Sequence, residues 1–560
     1  MSEADQANAK QRGQAAPLAR VPRAVRDVAA GLWFAGCMTL AFPPFGLWYL
    51  CLFALVGPAL ALRRPARWTA VLVGLGTLPF WAYEVFWTAR MSALGYVPFA
   101  LALTAYAVLA LWIMGRLSRR WPRVPMALLV PIAWGGVEML RGRVAFDGYA
   151  WYFVGHPTIE MALSAFAGPI IGAIGVSVFV AAFAGAIADL WLGPRRIRRG
   201  LLALVISGGA PFVLGFFFLP FVYGAATKKP GIHIGVVQTN VPQSIRGGWT
   251  LEQRNAEMRA LIDLGFEAIE QNPDLDLLVW PETMFPGLGL EAEAQAALEA
   301  DGGLQQFVDF NRLMREITFE IERRTGVPLL VGATGFEGPF IKDLPGGGFT
   351  LTGDREFNSA FLLERGEIRG RYDKVHLTPF GEVMPYISKW PWLERQLLAF
   401  GAAGMAFDLS EGDGVRVLEL SSGLKVGTPI CFEIANPAIT RRMVNQGANV
   451  IVTLTNDGWF GSFDAGRQQH LDLARWRAIE TGLPVVRAAN TGISCMIDKS
   501  GVVTHRAQPN EATALSGKVT VWRSEPTVYT GLGDLVGWLV LALAGIGLAA
   551  TFIRRSAGTG

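Results

Sequence analysis

The chain runs to 560 residues, of which 51% are hydrophobic and only 17% charged, with a formal net charge of +4 and a mean hydropathy of +0.33. That is too apolar for an ordinary soluble enzyme and too charged for a pure bundle of membrane spans, so the chain must be divided. Its basic residues cluster between hydrophobic stretches instead of forming one patch, which argues against nucleic acid as a partner.

The first 27 residues are polar and lack a small-residue cleavage site after a short apolar core, so they read as a disordered cytoplasmic tail and not as a signal peptide. Seven hydrophobic stretches follow, near 28–45, 47–62, 68–89, 96–115, 124–140, 164–192 and 201–224. Each approaches the roughly 20 residues that cross a hydrocarbon core. The first two are short and broken by Phe42-Pro43-Pro44-Phe45-Gly46, which fits two spans or a re-entrant pair. An eighth stretch, 530–553, closes the chain.

One set of connections carries eighteen Lys and Arg, grouped at Lys10 to Arg26, Arg63 to Arg67, Arg116 to Arg123, Arg195 to Arg199, and Arg554 with Arg555. The opposite short loops hold only Arg90, Arg141 and Arg143. The asymmetry puts both termini in the cytoplasm and the long polar segment outside, in the periplasm or its equivalent. Glu84 and Glu138 are the notable ionisable groups within the spans. They either line a headgroup pocket with Arg143 or, the plainer reading, sit at the outer interface within reach of water.

From about 228 to 526 the texture changes. Short Val- and Ile-rich runs (232–238, 277–280, 328–334, 361–363, 426–430, 450–456, 484–490, 493–498, 502–507) alternate with helical patterns near 250–271, 304–325, 465–482 and briefly after Glu433. Alternation of this kind predicts an α/β layered domain with its active residues at strand ends. Three candidates stand there: Glu282 in Trp-Pro-Glu, Lys374 in Asp-Lys-Val-His and Cys431 in Thr-Pro-Ile-Cys-Phe-Glu. A carboxylate, an amine and a thiol make a general base, a cationic stabiliser and a nucleophile for acyl transfer. A site tethered to a bilayer points to lipid as the source of the acyl group.

Each residue alone has a plainer reading. A buried cysteine is usually inert core, Lys374 is a solvated strand-end charge and Glu282 caps a turn; only their joint appearance speaks for catalysis. His376 and His470 offer a Cys-His alternative, yet five histidines without ligand spacing read as structural hydrogen-bonders. Cys37 and Cys51 lie in apolar stretches, Cys495 reads as core, and no spacing suggests zinc or a disulfide, so neither metal nor cofactor is expected. Asn456-Asp457 reads as turn chemistry beneath the site.

Gln238-Thr239-Asn240, Trp280-Pro281-Glu282, Tyr372-Asp373-Lys374-Val375-His376-Leu377, Pro379-Phe380-Gly381-Glu382, Ile430-Cys431-Phe432-Glu433 and Asn456-Asp457-Gly458-Trp459-Phe460 together resemble the nitrilase superfamily. With eight flanking spans the chain resembles that superfamily's membrane-bound branch, the apolipoprotein N-acyltransferases, over nearly its whole length. The resemblance implies a polytopic α-helical membrane domain of eight spans joined to an extracytoplasmic α/β nitrilase-like αββα sandwich. Its domains would be a tail (1–27), a seven-helix membrane domain (28–227), the catalytic domain (228–526), and a last helix with a short cytoplasmic tail (527–560).

The resemblance also implies a Glu282-Lys374-Cys431 triad working through a thioester. The donor would be a phospholipid such as phosphatidylethanolamine, attacked at its sn-1 ester, and the acceptor the α-amino group of a diacylglyceryl cysteine on an apolipoprotein. Glu382 would support the lysine and Glu433 the substrate pocket. Trp249 matches a tryptophan the family uses near the site, with Gly247-Gly248 inserted before it. Phe432 stands where the family often has Tyr, losing the hydroxyl but keeping the backbone N–H. A monomer in the bacterial inner membrane is expected.

Tyr386, Ile387, Trp390, Trp392, Leu393, Leu397, Leu398 and Phe400 crowd 383–407, which reads equally as a lid dipping into the outer leaflet or as ordinary packing. Two rival functions remain. A small-amide hydrolase anchored by its spans needs one or two helices, not eight, and a transporter with an inactive nitrilase-like domain would not need an intact Glu, Lys and Cys set.

Overall fold

A computed structural model of the protein describes residues 21–91, 93–192, 200–203, 206, 227–228, 231–241, 250–301, 305–343, 349–379, 382–383, 409–523 and 527–553. The start of the tail, nearly all of the stretch at 201–224, Trp249 and the expected lid from 384 onward lie outside the described residues.

The N-terminal part is a helical bundle. Helix Arg23–Ala41 buries Asp27, Gly31, Phe34, Ala35, Met38 and Ala41, a three-and-four spacing that turns one stripe inward. Among the described helices, Arg23–Ala41, Gly95–Arg120 and Ser164–Trp191 are long and apolar enough to cross a membrane, while Trp48–Leu62 and Leu535–Ala550 are shorter apolar helices. The stretch expected at 68–89 is divided into Thr69–Gly76, Leu78–Glu84 and Thr88–Met91. That at 124–140 carries a π-helical turn over Pro131–Gly135, where proline cannot donate to the regular ladder.

The plainer reading of Glu84 and Glu138 is corrected. Glu84 is 0% exposed and Glu138 4%. Gln469 Nε2 donates to Glu84 Oε2 at 2.5 Å; Trp134 Nε1 and the Val154 N–H donate to Glu138 Oε1 at 2.9 and 2.7 Å. Arg143 instead reaches Asn436 Oδ1 (2.6 Å) and Asp534 Oδ2 (3.5 Å). Protein donors replace water at one oxygen of each carboxylate, which lowers the cost of burying it.

The strands are β1 (Thr227–Lys228), β2 (Ile232–Gln238), β3 (Leu277–Val279), β4 (Leu329–Asp343), β5 (Phe349–Glu364), β6 (Glu367–Asp373), β7 (Val417–Glu419), β8 (Lys425–Gly427), β9 (Val450–Thr455), β10 (Val485–Ala489), β11 (Cys495–Ile497), β12 (Val503–Arg506), β13 (Thr513–Val519) and β14 (Trp522–Arg523). They form two six-stranded sheets, ordered β13-β2-β3-β4-β5-β6 and β12-β11-β10-β9-β8-β7, plus the short β1-β14 pair. In each sheet three central strands are parallel (β2-β3-β4 and β8-β9-β10) and the flanking ones antiparallel.

Alternation along the strands sets the layers. Ile234, Val236, Leu277, Val279, Leu330, Ala360 and Leu362 pack in one core with Val426, Ile451, Val486 and Ala488 of the other sheet. Their neighbours Val237, Leu278, Leu329, Val331, Phe361 and Leu363 point the other way, against Met258, Leu261, Phe310 and Met314 of helices Leu251–Gln271 and Gln305–Thr325. Helices Pro437–Asn445 and Asp464–Thr481 carry Ile439, Met443, Leu471 and Ala474 into the core of the second sheet. The result is the expected αββα sandwich.

The chief departure is a long hairpin. β4 and β5 pair from Leu329↔Leu363 out to Asp343↔Phe349, where the apolar pattern marked only 328–334 and 361–363. β6, β7, β13 and helix Ala292–Ala300 were also not anticipated.

The two parts are joined by side chains. Helix Ala162–Trp191 breaks at Gly172 (φ 68°), where a Cβ would lie 2.3 Å from the Tyr529 ring. The break frees the Ala173 N–H, which donates to Glu480 Oε1 at 2.8 Å. Trp476 Nε1 donates to the His156 carbonyl at 3.1 Å.

Candidate active site

All three candidates leave strand ends. Trp280-Pro281-Glu282 follows β3, Lys374 follows β6, and Cys431 comes after β8, where Ile430 bridges Leu454. Gly332 of β4 lets the 281–283 segment lie against it, since a Cβ there would sit 2.1 Å from the Pro281 carbonyl oxygen. The Lys374 N–H donates to the Asn358 carbonyl at 2.9 Å, tying it to β5.

Glu282 (5% exposed), Lys374 (0%), Glu382 (8%) and Cys431 (8%) are all buried. Lys374 Nζ lies 2.7 Å from Glu382 Oε2 and 3.9 Å from Glu282 Oε1. Asn358 Nδ2 donates to Glu282 Oε1 at 2.7 Å and to Glu382 Oε1 at 3.1 Å, holding both carboxylates on one amide. The Thr378 N–H donates to Glu382 Oε2 at 2.8 Å.

Burial works against the Lys374 ammonium, but Glu382, then Cys431 and Glu282, outweigh it and lift its pKa above the ordinary lysine value. The reciprocal effect lowers Glu382: burial would raise it, and Lys374 overrides burial. The Cys431 thiol is raised, first by burial and then by Glu282, with Lys374 and a hydrogen bond to Thr455 pulling back. Glu282 and Lys374 are thus close enough to Cys431 to move it in opposite directions. The thiol rests protonated at neutral pH and becomes a nucleophile only if a base takes its proton as it attacks.

Glu433 stitches the lysine loop to the cysteine turn. Its Oε1 accepts from the N–H groups of Val375 (2.8 Å) and His376 (3.1 Å), its Oε2 from that of Ile430 (2.8 Å), and Tyr372 O–H reaches both oxygens at 2.9 Å. Burial still pushes its pKa up to about 7. Phe432 stacks on His376 (5.6 Å, 18°) and on Tyr149 and Trp151 of the bundle (6.0 and 6.4 Å). Asn456 Oδ1 accepts from the Gly458 N–H and from Asn490 Nδ2.

Sequence reasoning missed Asn358, Thr378 and Thr455, whose types are too common to stand out. It treated Tyr372 only as part of a motif. Among the described residues, no cluster of His, Cys, Asp or Glu could hold a metal ion.

Residues 233–526 match the family profile described as carbon-nitrogen hydrolase, and residues 34–186 that described as apolipoprotein N-acyltransferase N-terminal domain. The chain is 28% identical to an apolipoprotein N-acyltransferase of Geobacter metallireducens, over 96% of this chain and 97% of that protein. It is 29% identical to one of Azotobacter vinelandii, over 90% and 93%. A crystal structure of a carbon-nitrogen hydrolase from Helicobacter pylori aligns with 58% of this chain and 99% of its own at 17% identity and a TM-score of 0.35.

Proposed function

The chain belongs to the carbon-nitrogen hydrolase family, and on that premise we propose that it is an apolipoprotein N-acyltransferase. It moves an acyl chain from the sn-1 position of a phospholipid, phosphatidylethanolamine for preference, to the α-amino group of the diacylglyceryl cysteine that begins an apolipoprotein. The observation that carries this reading is Lys374 held between Glu282 and Glu382 beside the buried Cys431 thiol, on a face where Phe432 packs against the apolar bundle.

The first half-reaction joins Cys431 Sγ to the ester carbonyl carbon. Glu282 takes the thiol proton while Lys374 and the Phe432 N–H receive the oxyanion. Collapse breaks the bond to the sn-1 oxygen, Glu282 hands that oxygen the proton, and lysophospholipid leaves. The amine then attacks the thioester, an amide forms, and its proton returns through Glu282 to sulfur. A thioester is aminolysed more readily than the starting ester, and a site closed by lipid keeps out the water that would waste it.

In this reading the division of the chain is a tail (1–27), a seven-helix membrane domain (28–227), the catalytic domain (228–526) and a last helix (527–560). Eight spans put the catalytic domain on the periplasmic side of the inner membrane and both termini inside, and the enzyme acts as a monomer. Glu382 and Glu433 support the site.

The test is to incubate purified protein with a phospholipid labelled in its acyl chain and look for hydroxylamine-labile label on Cys431. Label that disappears in Cys431→Ser and passes to a lipopeptide amine is the expected result. Release of free fatty acid without transfer would mark a hydrolase instead.

A further inference from the structure

Cys431 sits at φ 50°, a left-handed conformation that a non-glycine residue resists. The peptide that follows it is the one whose N–H, on Phe432, faces the developing oxyanion in the reaction proposed above. A peptide unit is planar, so the Cys431 carbonyl and the Phe432 N–H turn together. Whatever holds the carbonyl therefore aims the N–H.

His470, on helix Asp464–Thr481, holds it. Its Nε2 lies 3.3 Å from the Cys431 carbonyl oxygen. Its Nδ1 is 3.0 Å from Arg487 Nη2 and 3.0 Å from Asp457 Oδ1. Arg487 Nη2 also donates to both oxygens of Asp457, at 2.7 and 2.5 Å, and Nε to the Ile493 carbonyl at 3.2 Å. A carbonyl oxygen only accepts, so the hydrogen bond between Nε2 and the Cys431 carbonyl requires a ring proton on Nε2. All three side chains are almost fully buried. Trp151 of the bundle stacks on the imidazole at 5.4 Å and 26° while also lying against Phe432, which leaves the ring little room to turn.

We propose that His470, oriented by Arg487 and Asp457 and clamped by Trp151, is a positioning residue for the oxyanion site: its Nε2–H fixes the Cys431–Phe432 peptide plane so that the Phe432 N–H stays aimed at the ester carbonyl. The assignment rests on the acyl-transfer reading and adds a role to a histidine that spacing alone marked as structural. Donation to the carbonyl also polarises the N–H at the other end of the same peptide.

The test compares His470→Gln, whose amide N–H reaches the Nε2 position, with His470→Asn, whose shorter side chain does not. Single-turnover thioester formation from a labelled phospholipid is measured beside alkylation of Cys431 by iodoacetamide, which has no oxyanion to stabilise. Glutamine stays within about threefold of the native acylation rate, asparagine falls by about tenfold or more, and alkylation changes by less than about threefold in both. Equal acylation by the two variants, or an asparagine loss that alkylation shares, overturns the assignment. Native protein that alkylates but never takes acyl label refutes the acyl-transfer reading itself, and this role with it.

Discussion

Replacing Lys374 by Met removes the ammonium that lies against a buried pair of carboxylates while keeping the apolar stem. The ammonium lies 2.7 Å from Glu382 and 3.9 Å from Glu282, so at an effective dielectric of about 20 the gross attractions lost are about 6 and about 4 kcal/mol. The protein will not bear that sum, because the two carboxylates already share the Asn358 amide and one of them takes up a proton. Protonation costs about 1.4 kcal/mol for each pH unit above the ordinary glutamate value, or about 3.5 kcal/mol at pH 7.

The sign follows from which state binds the proton. In the variant the folded pair holds a proton that the unfolded chain has released, so variant stability falls as pH rises above about 4.5. In the native protein the lowered Glu382 contributes stability above its unfolded pKa and loses it only in more acid solution. The deficit should therefore be about 3.5 kcal/mol at pH 7 and shrink to about 1.5 kcal/mol at pH 5.5. Guanidinium unfolding in detergent, followed by near-UV circular dichroism at the two pH values, reads it directly. An equal deficit at both would refute the shared-proton argument.

Asn358→Leu removes the two donors that hold Glu282 and Glu382, each bond to a charged group being worth about 1.5–3 kcal/mol. Acylation of Cys431 should fall at least about tenfold while iodoacetamide still labels the thiol; a rate within about twofold of native would show that the amide does not matter. Glu480 is pushed up to about 7 by burial, against the pull of Arg477, so its contribution to stability is complete below about pH 4.5 and lost as pH rises through 7. Glu480→Gln keeps an acceptor for the Ala173 N–H and should flatten the fall in melting temperature between pH 5 and 8. Parallel native and variant curves would refute this. Glu433, also near 7, is the same in both proteins.

Much of the site was legible because its chemistry needs rare residue types in set places. Glu282, Lys374 and Cys431 each close an apolar run, and a strand end is where such a fold presents a side chain. The outer helices were also legible from an apolar period of about 3.6, and the central strands from short continuous Val- and Ile-rich runs, because strands such as β9 and β10 are buried on both faces. The β4-β5 hairpin was not, because its outer half pairs residues such as Glu337↔Arg355 and Lys342↔Thr350, whose backbone bonds leave no apolar pattern to read.

Sequence by itself therefore determined the layers, the division into apolar and polar parts and the three candidate side chains, because these depend on residue type and local spacing. Only the tertiary structure decided what surrounds them. Asn358 between two carboxylates, Glu433 joining the loops at Val375 and Ile430, and His470 behind Cys431 are ordinary residues until folding removes water from around them. Once water is gone, each buried charge and each peptide dipole must find its partner in the protein, and which partner it finds is a matter of distance in space, not position in the chain.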